Sequence, residues 1–125
     1  MTRIDTMPLW CRMANYRDLD VLDAAEKVAD EINALIDSHP GKLIHVKQLR
    51  DSAQSIAANL REGFGRGPGP ARSNSLRTAR GETEETIGHL RANYAAKRIG
   101  REPFWRVRNR FTVIAKMITS LLRRC

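Results

Sequence analysis

The segment from Gln48 to Gly63, QLRDSAQSIAANLREG, constrains the fold most strongly, because as a helix it divides into three faces. Its apolar face has the four-three-four spacing that is typical of a helix packed on a core, and it consists of Leu49, Ala53, Ile56 and Leu60. One residue earlier, a stripe of short and nearly uncharged side chains follows the same steps: Gln48, Ser52, Ser55, Asn59 and Glu62. A third face has the charged character of a solvated surface: Lys47, Arg50, Asp51, Gln54 and Arg61.

The polar stripe predicts a partly buried contact rather than an open surface. Ser and Asn lower helix propensity and compete for backbone hydrogen bonds, so a solvated face usually carries longer charged residues. Buried polar groups need partners, and short side chains let another helix approach closely. We therefore predict a polar seam against a neighbouring helix or subunit, formed by Gln48, Arg50, Ser52, Ser55, Asn59, Glu62, Glu82 and Glu85. The alternative is that the serines only bond their own backbone one turn earlier.

Three further segments carry a helical apolar period, and Gly or Pro interrupts the chain between them. The pattern predicts helices from Asp18 or Asp20 to Ser38, Lys42 to Phe64, Ala71 to Ile99, and from near Pro103 to about Arg123. Ser73 is a candidate cap for the third helix. Within that helix, Gly81 and Gly88 lie seven residues apart, which suggests a close helix or tolerated drift. The predicted fold is all-α, an antiparallel up-down-up-down four-helix bundle over residues 16–125, preceded by a flexible N-terminal arm over residues 1–15.

Length and composition set the class of the protein. A chain of 125 residues with 42% hydrophobic and 29% charged residues is typical of one globular domain. It has no 18-residue apolar run and no basic-then-apolar N-terminus, so we expect neither a membrane span nor a secretory signal. Its two cysteines, Cys11 and Cys125, lie far apart without metal-ligand spacing. We therefore expect a cytoplasmic protein with no cofactor and no metal site.

Charge is distributed unevenly along the chain. Residues 1–40 hold eight acids and four bases, whereas residues 41–125 hold 18 bases and six acids, giving net charges of −4 and +12. Such asymmetry favours binding of a polyanion, with nucleic acid as the first candidate. The alternative is a basic surface that confers solubility and binds nothing specific. The predicted phosphate contacts are Arg66, Arg72, Arg77, Arg80, Arg91, Arg98, Arg106, Arg110 and Lys116. Trp105 lies off the apolar stripe and suits either base stacking or packing on the arm or another subunit.

Catalytic motifs are missing from the sequence. A di-iron bundle needs Glu-x-x-His pairs, and the spacing from Glu85 to His89 is one residue too long, with no second copy. The Gly/Pro-rich segment 63–70 has neither a preceding strand nor the Gly-Lys-Ser/Thr end of a phosphate-binding loop. His39 follows a predicted helix end, and His45 and His89 have no nucleophile or acid at a recognisable spacing. The sequence therefore indicates a protein that is not an enzyme.

The second helix resembles a family of four-helix-bundle proteins encoded in intervening sequences of bacterial large-subunit ribosomal RNA genes. The family's motif is matched by Gln48, Arg50, Ser52, Ser55, Ile56, Asn59, Glu62 and Gly63. The opening YRDLDVLDAAEKVADEI resembles the family's first helix, and the third helix matches less tightly. The likeness spans about Tyr16 to Leu122. Two departures are the extra N-terminal arm and Glu82 directly after Gly81, where the family usually has Gly-Ser.

The resemblance implies a homo-oligomer, a barrel-like pentamer in characterised relatives, and nucleic-acid binding. One relative, the accessory variability protein of diversity-generating retroelements, also implies association with a reverse transcriptase. The expected function is a non-catalytic oligomer that contacts DNA or RNA through the phosphate backbone, largely independently of sequence. The alternative is a protein adaptor that docks a partner enzyme through the same basic face and has little affinity for free nucleic acid.

Overall fold

The computed structural model describes residues 16–124, with side chains from residue 20 to residue 123. This range contains helices α1 (Tyr16–Ser38), α2 (Val46–Gly65), α3 (Pro70–Ala95) and α4 (Arg101–Arg124), and no strand. The predicted N-terminal arm lies outside the described residues. None of the four described helices combines the length and apolar content that a bilayer crossing requires.

The helices form an antiparallel four-helix bundle in which each helix contacts two others, α1 with α2 and α4, and α3 with α2 and α4. Side-chain contacts show the antiparallel order: on α1 and α2, Glu26 meets Arg61 whereas Asn33 meets Arg50. The α2–α3 contact is the most extensive of the four. Short loops between long helices leave few other arrangements.

The predicted apolar stripes form the core. The apolar residues at helical spacing are buried on α1 from Val21 to Leu35, on α2 from Leu49 to Leu60, and on α4 from Phe104 to Ile118. On α3, Ile87 and Tyr94 are only half-buried, and Tyr94 stacks on Phe104 with ring centroids 4.4 Å apart. Periodicity did not indicate two polar residues of α3 that are fully buried, Thr86 and Asn93.

Two predicted helix boundaries were wrong because the chain adopts left-handed conformations there. The second helix begins at Val46 rather than Lys42, since His45 has a φ of 57°. The third ends at Ala95 rather than Ile99, because Lys97 has a φ of 58° and its N–H bonds Tyr94 O at 3.0 Å. A positive φ interrupts a right-handed helix.

Corrections also apply to the cap and to the glycines of α3. Gly69, not Ser73, occupies the cap position before Pro70. Gly81 and Gly88 are exposed, and a Cβ added at either position would meet nothing within 4 Å, so no described helix passes close to them. Gly63 is instead the glycine at a close helix approach: a Cβ there would lie 3.2 Å from Ser75 Cβ.

Candidate nucleic-acid interface

The basic residues of α3 and α4 meet at a polar groove between the two helices. This basic groove has a volume of about 410 Å³, and three cations line it together with three hydroxyl side chains: Arg80, Lys116, Arg123, Thr112, Thr119 and Ser120. Arg80 is half-buried, and its Nη1 lies 3.4 Å from Thr119 Oγ1, which holds the guanidinium at the groove wall. Glu84 is the only acidic residue in the described lining. Cations interspersed with hydroxyl donors suit phosphate oxygens.

Other predicted cations extend this surface along α3. Arg77, Arg80, Glu84 and Arg91 follow one another at steps of three, four and seven, so they share one helix face. Arg77 is exposed and donates a hydrogen bond from Nη1 to Asn74 Oδ1 at 3.3 Å, and Arg91 is exposed about two turns beyond Glu84. This face therefore presents cations on both sides of the groove opening.

Two predicted cations lie on the opposite side of α4, towards α1. Arg110 forms an ion pair with Glu31, and Arg106 lines a groove of about 390 Å³ with Glu31 and His39. The structure does not bring these residues together with Arg80 and Lys116. Both residues lie beside the acidic helix α1, and Arg110 is paired with its Glu31.

The cations around the α2–α3 loop divide into structural and exposed residues. Arg72 is half-buried and donates to Gly63 O at 3.1 Å and Phe64 O at 3.3 Å, so it closes the C-terminal end of α2. Arg66 is exposed and pairs with Glu62 at 2.9 Å. Arg98 is exposed in the loop before α4, where its backbone N–H bonds Asn93 O. Arg72 thus has its donors engaged, whereas Arg98 presents its guanidinium at the surface.

Trp105 is 43% exposed at the start of α4. Its ring packs edge-on against Phe104 with centroids 5.3 Å apart, and Arg108 Cζ lies 5.3 Å from the indole centroid. Trp105 therefore ends an aromatic stack that begins at Tyr94, with one face partnered by a guanidinium.

The predicted polar seam lies along the α2–α3 contact, where only Ser52 is buried. Ser52 Oγ accepts a 2.7 Å hydrogen bond from Thr86 Oγ1, a partner that the sequence interpretation missed. Gln48 and Glu62 are exposed, while Ser55 and Asn59 are half-buried, and Asn59 Nδ2 donates to Ser55 O within α2.

Arg50 was predicted to share the seam with Glu62, Glu82 and Glu85, but it contacts none of these carboxylates among the described contacts. Arg50 Nε instead donates to Asn33 Oδ1 on α1 at 3.1 Å, because Arg50 lies on the α1 side of α2. Glu82 is half-buried on α3, and Glu85 is exposed. Burial and the neighbouring Glu85 carboxylate raise the pKa of Glu82 above its ordinary value. The two carboxylates thus interact with each other rather than with Arg50.

Sequence patterns missed the hydroxyl residues of the basic groove and the buried partners of α2. Thr112, Thr119 and Ser120 lie on the same side of α4 as Lys116, but no one-dimensional pattern marks this side as facing Arg80. Arg123 was not among the predicted phosphate contacts. For Thr86, the one available signal was its position three residues after Thr83, a step that keeps a side chain close to the core face.

Comparison with known proteins identifies close structural relatives. The model of the family described as 23S rRNA-intervening sequence protein matches residues 17–120. A crystal structure of a protein with unknown function from the S23 ribosomal protein family of Bacteroides thetaiotaomicron superposes with a TM-score of 0.80 at 27% sequence identity. The alignment covers 86% of this chain and 98% of that protein. No curated protein matches the chain.

Proposed function

This chain belongs to the 23S rRNA-intervening sequence protein family, and from that premise we propose that it is a non-catalytic, oligomeric nucleic-acid-binding protein. The observation that carries the proposal is the basic groove between α3 and α4, with Arg80, Lys116 and Arg123 around a polar cleft. Arg77 and Arg91 continue the positive surface along α3. The expected ligand is the sugar–phosphate backbone of DNA or RNA.

The composition of the groove favours backbone contacts over reading of bases. Its side chains are cations and hydroxyls, which bond phosphate oxygens without regard to sequence. Trp105 is the only described aromatic residue that is classed as exposed, and Arg108 already lies over its ring. Binding is therefore expected to be largely sequence-independent and to weaken steeply with salt, because each phosphate contact releases counterions.

We infer that the chain forms a homo-oligomer, and the family resemblance suggests a pentameric barrel. If the chain acts as the retroelement relative does, it also associates with a reverse transcriptase. Support for assembly comes from α2, whose stripe of Gln48, Ser55, Asn59 and Glu62 is exposed or half-buried on the described chain. A polar surface of short side chains suits close approach of a second copy. Asn59→Leu should therefore change the mass of the assembly measured by light scattering.

Charge reversal in the groove tests the proposal directly. The variant Arg80→Glu, Lys116→Glu, Arg123→Glu is compared with Lys27→Glu, Lys47→Glu, Arg61→Glu, which changes the net charge equally at exposed positions of α1 and α2. Fluorescence anisotropy is recorded with duplex DNA, single-stranded RNA and an RNA–DNA hybrid from about 50 to about 300 mM salt. The groove variant should bind at least tenfold more weakly, and its log–log salt slope should fall by about 3.

Two outcomes would contradict the proposal. If the control variant weakens as much as the groove variant, net charge rather than the groove determines binding. If the wild-type protein binds none of the three probes at the lowest salt, nucleic-acid binding is wrong and the adaptor function takes its place. Incubation of the probes with the protein and Mg²⁺ should leave them uncut on a denaturing gel, and specific cleavage would refute the non-catalytic assignment.

A further inference from the structure

Two histidines that are 44 residues apart in the sequence meet at one end of the α2–α3 contact. His45 immediately precedes α2, and His89 lies in the last third of α3. Their Nδ1 atoms are 3.3 Å apart, and the rings meet at 78° with centroids separated by 5.2 Å. His45 is exposed, whereas the side chain of His89 is only 20% exposed. Within the pair, His89 is therefore largely enclosed by the protein, whereas His45 faces solvent.

A buried amide holds the two rings in this arrangement. Asn93 is fully buried on α3, and its Oδ1 accepts from Ile44 N at 2.8 Å while its Nδ2 donates to Ile44 O at 2.9 Å. The same Nδ2 lies 2.9 Å from His89 O. Ile44 is thereby fixed to α3. The next residue, His45, has a left-handed backbone conformation with a φ of 57°, and its ring lies beside His89. Fixing both backbones before a ligand arrives lowers the entropy cost of binding.

The second nitrogen of His89 faces a carboxylate. Glu85 Oε1 lies 3.5 Å from His89 Nε2, one turn earlier on α3, and this buried Nε2 has no hydrogen-bond partner among the described residues. A carboxylate beside Nε2 favours the tautomer with its proton there, which leaves the Nδ1 lone pair directed at His45. Carboxylates hold metal-binding imidazoles in this way.

We propose that His45 and His89 bind a divalent transition-metal ion through their Nδ1 atoms. In a tetrahedral site with metal–nitrogen bonds of about 2.05 Å, the two nitrogens lie about 3.3 Å apart, which is the separation observed here. Imidazole nitrogen suits Zn²⁺, Cu²⁺, Ni²⁺ and Co²⁺ rather than Mg²⁺ or Ca²⁺. In the described part of the chain no three His, Cys, Asp or Glu side chains converge on one point. The remaining positions are therefore taken by water on the open side of His45.

The test is a metal titration of the full-length chain without nucleic acid, so its outcome is independent of the proposed function. Cys11 and Cys125 are replaced by Ser in every sample, because thiolates would compete for the ion. Calorimetry with Zn²⁺ should give one site per chain, and affinity should rise from Co²⁺ through Ni²⁺ to Cu²⁺. His45→Gln and His89→Gln should each lower the affinity more than tenfold, and Glu85→Gln should lower it about tenfold.

His39→Gln is the matched control. The Nδ1 atom of His39 lies 2.9 Å from Leu35 O at the end of α1, so this imidazole is engaged elsewhere and its removal should leave the affinity unchanged. Circular dichroism of each variant confirms that the fold is retained. In ring ¹H–¹⁵N spectra, Zn²⁺ should shift Nδ1 of His45 and His89 and leave His39 unaffected.

Three results would overturn the proposal. One is no binding, at about 1 mM metal, by the Cys-to-Ser protein that keeps all three histidines. Another is equal affinity of the His39 and His89 variants. A third is a Zn²⁺-dependent shift at Nε2 rather than Nδ1. Any of these would mean that the two histidine rings contact each other without binding a metal ion.

Discussion

Replacement of Asn93 by Leu tests how strongly one buried amide stabilises the junction of α2 and α3. Leucine is similar in size and keeps the site filled, so the change removes hydrogen bonds without opening a large cavity. The amide satisfies both backbone groups of Ile44, at 2.8 and 2.9 Å. Without it, the N–H and C=O groups of Ile44 lose these partners, while His89 O keeps its bond within the helix.

The expected loss follows from the cost of unsatisfied groups. Each buried orphaned donor or acceptor costs about 1–3 kcal/mol. Ile44 is half-buried, so the lower half of that range applies, and two groups give a loss of about 2–4 kcal/mol. A domain of this length loses roughly 3–6 °C in melting temperature per kcal/mol. Asn93→Leu should therefore melt about 6–24 °C below the wild-type protein.

Urea unfolding followed by circular dichroism at 222 nm, at one fixed protein concentration, measures this loss. Thr86→Val is the matched comparison, because it also removes a buried polar group of α3. It breaks the bonds of Oγ1 to Ser52 Oγ and to Glu82 O, but it orphans no backbone group, since Glu82 O keeps its bond within the helix. That variant should lose about 1 kcal/mol. The reasoning is refuted if Asn93→Leu loses no more free energy of unfolding than Thr86→Val.

Two further predictions concern α3. Gly81→Ala and Gly88→Ala should each raise the free energy of unfolding by about 0.5–1 kcal/mol in urea titrations, because a Cβ at either position meets nothing within 4 Å; a loss would mean that another chain packs there. Glu82→Gln should raise the melting temperature at about pH 7 and have little effect at about pH 4. The pKa of Glu82 is raised in the folded state. The free energy of unfolding of the wild-type protein therefore falls as the pH rises from the ordinary pKa of a glutamate through the raised pKa of Glu82. Thermal scans across this pH range measure the difference in melting temperature between the two proteins. Glu84→Gln is the control, because it removes the same charge from α3. A parallel pH dependence in the wild-type protein and Glu82→Gln would contradict the prediction.

Local periodicity determined the helices and most of the core. The inward stripes of α1, α2 and α4 could be assigned from sequence because a helix fixes which residues share a face, whatever it packs against. Helix ends were less predictable. The breakers in the sequence, Pro40-Gly41 and Gly100, lie several residues from the observed helix ends at Val46 and Ala95. The positive φ values of His45 and Lys97, which set those ends, depend on how the loops return to the bundle.

The candidate sites depended on tertiary structure in different degrees. The basic character of the C-terminal two-thirds could be determined from charge counts, but only the antiparallel contact of α3 and α4 placed Arg80, Lys116 and Arg123 around one groove while turning Arg106 and Arg110 towards acidic α1.

On α2 and α3, the sequence by itself determined that a polar contact forms, and the packing of the helices decided which residues meet. The stripe from Gln48 to Glu62 predicted a polar contact, because short polar residues at heptad steps are unfavourable on a solvated helix. Within it, Ser52 meets Thr86, 34 residues away. Arg50, on the neighbouring face of α2, meets Asn33, 17 residues away. His45 and His89 carry no signal in the sequence at all. They meet because Asn93 binds the backbone of Ile44, a contact between distant residues that only the folded chain can make.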